Sequence, residues 1–110
     1  MNTARMSEHC AVAAGLLSAA ANPKRLLILR TLIERECSEG ELATHVGLSQ
    51  SALSQHLSKL RGKNLIEGRR DAQTIYYSSS SPSVKLLLAA LDEIGPSLGR
   101  GSATSQGKSP

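Results

Sequence analysis

A chain of 110 residues is the length of one domain, and a domain this small leaves much of its surface uncovered unless a second subunit helps. It has no Trp, no Phe and only two Tyr, so the core has to be aliphatic, which favours helices packed through Leu, Ile, Val and Ala. Two cysteines, Cys10 and Cys37, are too few for a disulfide framework, and no stretch approaches the length of apolar residues that a membrane-spanning helix needs.

The N-terminus lacks the basic, then apolar, then small-residue order of a secretory signal, and the chain is expected to work in the cytoplasm without a membrane partner. The formal charge of +4 is unevenly placed. Basic and acidic residues cancel over residues 1–48. Over residues 49–78, Lys59, Arg61, Lys63, Arg69 and Arg70 stand against Glu67 and Asp71, a net of +3. Such an excess on one surface attracts a polyanion, although a solvated basic face has the same composition.

Residues 4–20 predict a first helix with apolar side chains on nearly every face, Val12, Leu16, Leu17 and Ala20 among them, which calls for burial on several sides. Asn22 and Pro23 form an N-cap and N1 pair that opens a second helix to about Glu34, with Leu26, Leu29 and Ile33 at helical spacing. Ser38 and Glu41 have capping-box spacing and begin a short third helix that ends before Gly47. Ser49 then caps a fourth helix from Gln50 to about Arg61. Two short helices joined by a Gly-containing turn outline a helix-turn-helix.

Gly62, Lys63 and Asn64 stop the fourth helix, and Leu65–Arg70 and Thr74–Ser78 read as a hairpin turning at Asp71 and Ala72. Ser81 and Pro82 open a last helix to about Ile94, with Val84, Leu87, Leu88, Leu91 and Ile94 in one stripe. Gly95 and Pro96 are expected to end it. The fold class is therefore mainly α with a small β-hairpin, one domain over residues 1–98, and a disordered tail over residues 99–110.

The fourth helix has two faces that differ in kind. Leu53, Leu57 and Leu60 anchor one of them. The other carries Gln50, Ser51, Ser54, Gln55 and Ser58, which are uncharged hydrogen-bonding side chains. Gln pairs in bidentate fashion with adenine and Ser serves donors or acceptors, so this face suits base edges in a major groove. Lys59, Arg61 and Lys63 flank it, where they would hold phosphate. In the hairpin, Arg69, Arg70, Gln73 and Thr74 would form a wing near phosphate or the minor groove. A charged edge strand that resists pairing is the plainer account of Arg69 and Arg70.

The strings ANPKRLLIL, GLSQSALSQHLSKLR and NLIEGRRDAQTIYYSSSS resemble the winged helix-turn-helix ArsR/SmtB family of bacterial repressors over roughly residues 11–84. The resemblance implies a homodimer held by the first and last helices, through Val12, Leu16, Leu87, Leu88 and Leu91. It also implies repression by occupying a pseudo-palindromic operator on the nucleoid, with double-stranded DNA as the partner. Carried onto this chain, Gln50, Ser51, Ser54 and Gln55 face bases, while Ser49, His56 and Lys59 steady the backbone.

Many ArsR/SmtB proteins release DNA on binding a metal, but the resemblance supplies few ligands here. One family site uses Cys-x-Cys near the third helix, where only Cys37 is present. Another uses His and acidic residues on the last helix, which has Asp92 and Glu93 but no His. The expectation is a repressor with no metal, no cofactor and no small-molecule effector. A thiol-based redox or sulfur sensor using Cys37 and Cys10 is the alternative within the fold, and a protein-interaction module without DNA binding is the alternative outside it. No motif brings together the groups that an enzyme would need.

Overall fold

The computed structural model describes residues 2–103, with side chains described through Ser97. Five helices and three short strands follow in the order α1 (Thr3–Ala20), α2 (Pro23–Glu34), β1 (Cys37–Ser38), α3 (Glu39–Val46), α4 (Gln50–Gly62), β2 (Glu67–Asp71), β3 (Thr74–Ser78) and α5 (Pro82–Ala103). Each predicted N-cap opens its helix. The Asn22 side chain accepts from the amides of Lys24 and Arg25 at 2.8 and 3.1 Å, with Pro23 behind it, and fixes the start of α2. Ser38 and Glu41 make both capping-box bonds, at 2.9 and 3.1 Å. Ser49 accepts from Ala52 N at 3.2 Å, and Ser81 accepts from Val84 N at 3.2 Å.

Between α3 and α4 the chain turns on Gly47, whose φ of 72° is the left-handed geometry that closes a helix C-terminus. The turn is short, so α3 and α4 are held as one helix-turn-helix unit on α2. The core runs through all of them. Ile28, Leu29 and Leu32 of α2 meet Leu42 and Val46 of α3, Leu53, Leu57 and Leu60 of α4, and Val84 and Leu88 of α5. Burying an aliphatic side chain of this size stabilises by about 1.5–3 kcal/mol relative to leaving it in water.

Three features differ from the sequence expectations. The hairpin is part of a three-stranded antiparallel sheet in the order β1-β3-β2, because Cys37 and Ser38 pair with Tyr77 and Tyr76. A two-residue strand leaves no alternation to read. The first hairpin strand starts at Glu67, two residues later than expected, since Leu65 and Ile66 are buried as the link between α4 and the sheet. Finally, α5 continues through Gly95 and Pro96 to Ala103 and takes in residues 99–103 of the expected tail. Pro96 removes one backbone bond and crowds the preceding turn, yet its fixed φ is helical, so it interrupts the ladder without ending the helix. The rest of that tail, residues 104–110, lies outside the described residues.

The β-turn sits on Ala72, with φ 58°, between the paired Asp71 and Thr74. Two buried polar groups are satisfied within the frame: Ser79 Oγ donates to Leu65 O at 2.6 Å, and Thr31 Oγ1 donates to Leu27 O at 2.8 Å. Among the described residues no single helix is long and apolar enough to cross a membrane, and α2 leaves α1 at 95°.

Candidate nucleic-acid interface

The placement of α4 follows from its leucines. Leu53, Leu57 and Leu60 are buried, so the opposite side of the cylinder points away from the protein and exposes Gln50, Ser51, Ser54, Gln55 and Ser58. Cations stand on both flanks. Lys59 and Lys63 line a cleft against α1, beside Arg25, Gly15 and Ser18. Arg61 lines a cleft on the other flank with Ser54, Ser58 and Tyr77 of β3. Cations on both sides of a neutral strip match a groove floor of base edges walled by phosphates.

The wing meets the start of α4. Arg70, Gln73 and Thr74 border a groove of about 480 Å³ whose other walls are Ser38, Glu39, Gly40 and Gln50. Arg69 and Arg70 are exposed on β2, all of whose residues face solvent. The two arginines are in different states. Arg69 makes a bidentate pair with Glu36 at 2.7 and 2.8 Å and lies 4.7 Å over the Tyr76 ring. Its guanidinium holds the Glu36 carboxyl below the usual carboxylate range.

Two residues of α4 also have partners inside the protein. Ser54 Oγ donates to the Glu39 carboxylate at 3.2 Å, so a carboxylate from α3 reaches a face that the α4 sequence shows as uncharged. His56 is half-buried, and its Nδ1 accepts from the Arg25 guanidinium at 3.1 Å. Its imidazole pKa is lowered by burial, then by Arg25 and Lys59. In the chain without DNA the expected backbone contact of His56 is therefore replaced by one within the protein, its 3.6-residue phase turning Nδ1 toward Arg25 of α2. Arg25 and Glu39 lie outside α4 and escaped the sequence reading. A hint of Arg25's importance was its place in the first turn of α2, where cations are disfavoured.

Residues 22–67 match the family described as bacterial regulatory protein, arsR family. Over 87 residues, 79% of this chain and 71% of its relative, the sequence is 66% identical to nodulation protein NolR of Rhizobium meliloti. The chain belongs to the arsR family. The crystal structure of NolR from Sinorhizobium fredii is similar at TM-score 0.80 and 63% identity, covering 86% of this chain and 94% of that one. The transcriptional activator HlyU of Vibrio cholerae is 46% identical over 94 residues, 86% of this chain and 87% of that protein. As an arsR-family member with a winged helix-turn-helix, the protein is a DNA-binding transcriptional regulator and not an enzyme.

The remaining arsR-type sites can be placed on this frame. Among the described residues, no three His, Cys, Asp or Glu side chains gather where they could hold a metal. Cys37 is fully buried on β1 and Cys10 is exposed on α1. Burial pushes the Cys37 thiol up, away from the thiolate that redox chemistry requires.

The residues expected at a subunit contact divide. Leu88 is 6% exposed and packs in the chain's own core, because it lies one helical turn from Val84 on the inward side of α5. Leu16, Leu87 and Leu91 are half-buried, and Val12 is 75% exposed. Leu86 at 72% and Ile94 at 46% extend the exposed apolar surface of α5 beyond the expected set, and Met6 and Leu17 do the same on α1.

Proposed function

We propose that this arsR-family protein is a transcriptional repressor that occupies a pseudo-palindromic operator as a homodimer, without a metal inducer or other small-molecule effector. The observation that carries the reading is the α4 surface: an exposed strip of Gln50, Ser51, Ser54 and Gln55 opposite a buried leucine stripe, with Lys59 and Arg61 on its flanks. Ser49 at the helix start, and Arg69, Arg70, Gln73 and Thr74 of the wing, contact phosphate or the minor groove. Arg69 has first to leave Glu36.

Exposed apolar side chains on α1 and α5 support a dimer. A two-fold axis through both helices would cover Val12, Leu16, Leu86, Leu87 and Leu91 at once and set two α4 helices toward major grooves roughly 34 Å apart. The protein then works in the cytoplasm on the nucleoid.

Selection of bound sequences from a random duplex pool tests this reading. The expected result is an imperfect palindrome with A·T pairs where Gln meets bases, and affinity that falls steeply with added salt. Gln55→Ala should cost about 1–3 kcal/mol on the selected operator and relax choice at one position per half-site. Unchanged operator selectivity in that variant would remove Gln55 as a base reader.

A further inference from the structure

The first turn of α2 carries Lys24 and Arg25, two cations at the positive end of a helix dipole, where anions are favoured. Both find compensation at the negative ends of other helices. Lys24 Nζ donates to Val46 O, the last residue of α3, at 2.5 Å. Arg25 Nε donates to Ala19 O, at the end of α1, at 2.6 Å, while the same guanidinium reaches His56 Nδ1 on α4 at 3.1 Å. The Asn22 cap pins the Arg25 backbone, so this fork starts from a fixed point.

From this geometry we infer that Arg25 is a positioning residue for DNA reading: by bridging the α1 C-terminus to His56, it sets the recognition helix against the helix that joins the subunits. The inference rests on the role proposed for α4 and on α1 as a subunit contact. A dimer reads two half-sites only when both α4 helices keep a fixed direction relative to the two-fold axis. α1 belongs to that axis and α4 to the DNA. The Arg25 fork is a direct polar link between them, in a half-buried place where a planar, always charged donor keeps its geometry.

His56 has to be neutral to accept this bond. The charged groups that reach it are Arg25 from α2 and Lys59 from α4, both cations, and the last turn of α1 carries no charged side chain. Protonation therefore breaks the bridge and sets two cations against each other. A phosphate-binding histidine would behave in the opposite way and gain DNA affinity on acidification.

Arg25→Lys and His56→Asn separate these roles in the full-length protein. Lys keeps the charge but not the fork, and Asn keeps an acceptor close to the Nδ1 position but does not titrate. Affinity is measured by fluorescence anisotropy for the pool-selected operator and for a scrambled duplex of equal length. Expected for Arg25→Lys is a loss of about tenfold or more on the operator with scrambled-duplex affinity unchanged. In the wild type the operator-to-scrambled ratio should fall as the pH drops below the ordinary histidine range, and in His56→Asn it should stay flat. Equal loss on both duplexes would make Arg25 a phosphate contact and overturn the inference. No loss on either duplex, or a pH response that persists in His56→Asn, would overturn it as well. A wild type with no preference for any selected sequence removes the DNA-reading role itself, and the inference with it.

Discussion

Leu86→Ala addresses the subunit contact with little disturbance of the single chain. The substitution removes three carbons, worth ~2.4 kcal/mol when fully buried at ~0.8 kcal/mol per methylene. Leu86 is 72% exposed in the single chain, so about 1.7 kcal/mol of that remains to be gained per subunit on dimerisation. A two-fold interface counts each side chain twice, giving about 3.5 kcal/mol, or roughly a 300-fold weaker dimer. Sedimentation equilibrium over a concentration series measures the constant directly, and operator affinity should fall with it. Leu88→Ala is the contrasting variant: at 6% exposure it should lose about 2–5 kcal/mol from the fold itself. An unchanged self-association constant in Leu86→Ala would refute the placement of α5 in the interface.

The capping box predicts a pH response. Hydrogen bonds from the Ser38 backbone and side chain hold the Glu41 carboxyl below its ordinary value of 4.5, so its contribution is present above that value and is lost as pH falls through the lowered one. Thermal melts from about pH 6 to about pH 3 should therefore show a smaller decline in Glu41→Gln than in the wild type. Alkylation with iodoacetamide should modify Cys10 in the native protein and reach Cys37 only on unfolding, and oxidant should leave operator affinity unchanged; fast native labelling of Cys37 would revive the sensor. At the wing turn, Ala72→Gly relieves a φ of 58° and should raise stability by about 0.5–1 kcal/mol in a denaturant titration.

The parts of the fold legible in the sequence are those written by local chemistry. Asn22-Pro23, Ser38 with Glu41, Ser49 and Ser81-Pro82 mark helix starts because a side-chain oxygen has to meet an amide within three residues. The leucine stripe of α4 likewise determines which face is free. What escaped the sequence is non-local. β1 exists only because β3 lies beside it, and α5 passes Pro96 because a helix already long enough tolerates one missing bond. The polar partners of the candidate site follow the same division. Gln50, Ser51 and Gln55 can be placed from α4 alone, whereas Glu36 on Arg69, Glu39 on Ser54 and Arg25 on His56 are pairings across 33, 15 and 31 positions of chain. No periodicity encodes such distances.

The pairing of Cys37 and Ser38 with the inner strand of the wing has a mechanical corollary. Ser38 is at once a sheet residue and the cap of α3, so the hairpin cannot swing without unwinding the beginning of the helix-turn-helix. Wing tip and recognition helix thus behave as the jaws of a caliper locked at one opening. On the proposed mode of binding, the span of duplex held by each subunit would be set before any DNA arrives, and operators of another groove width would have to deform to fit.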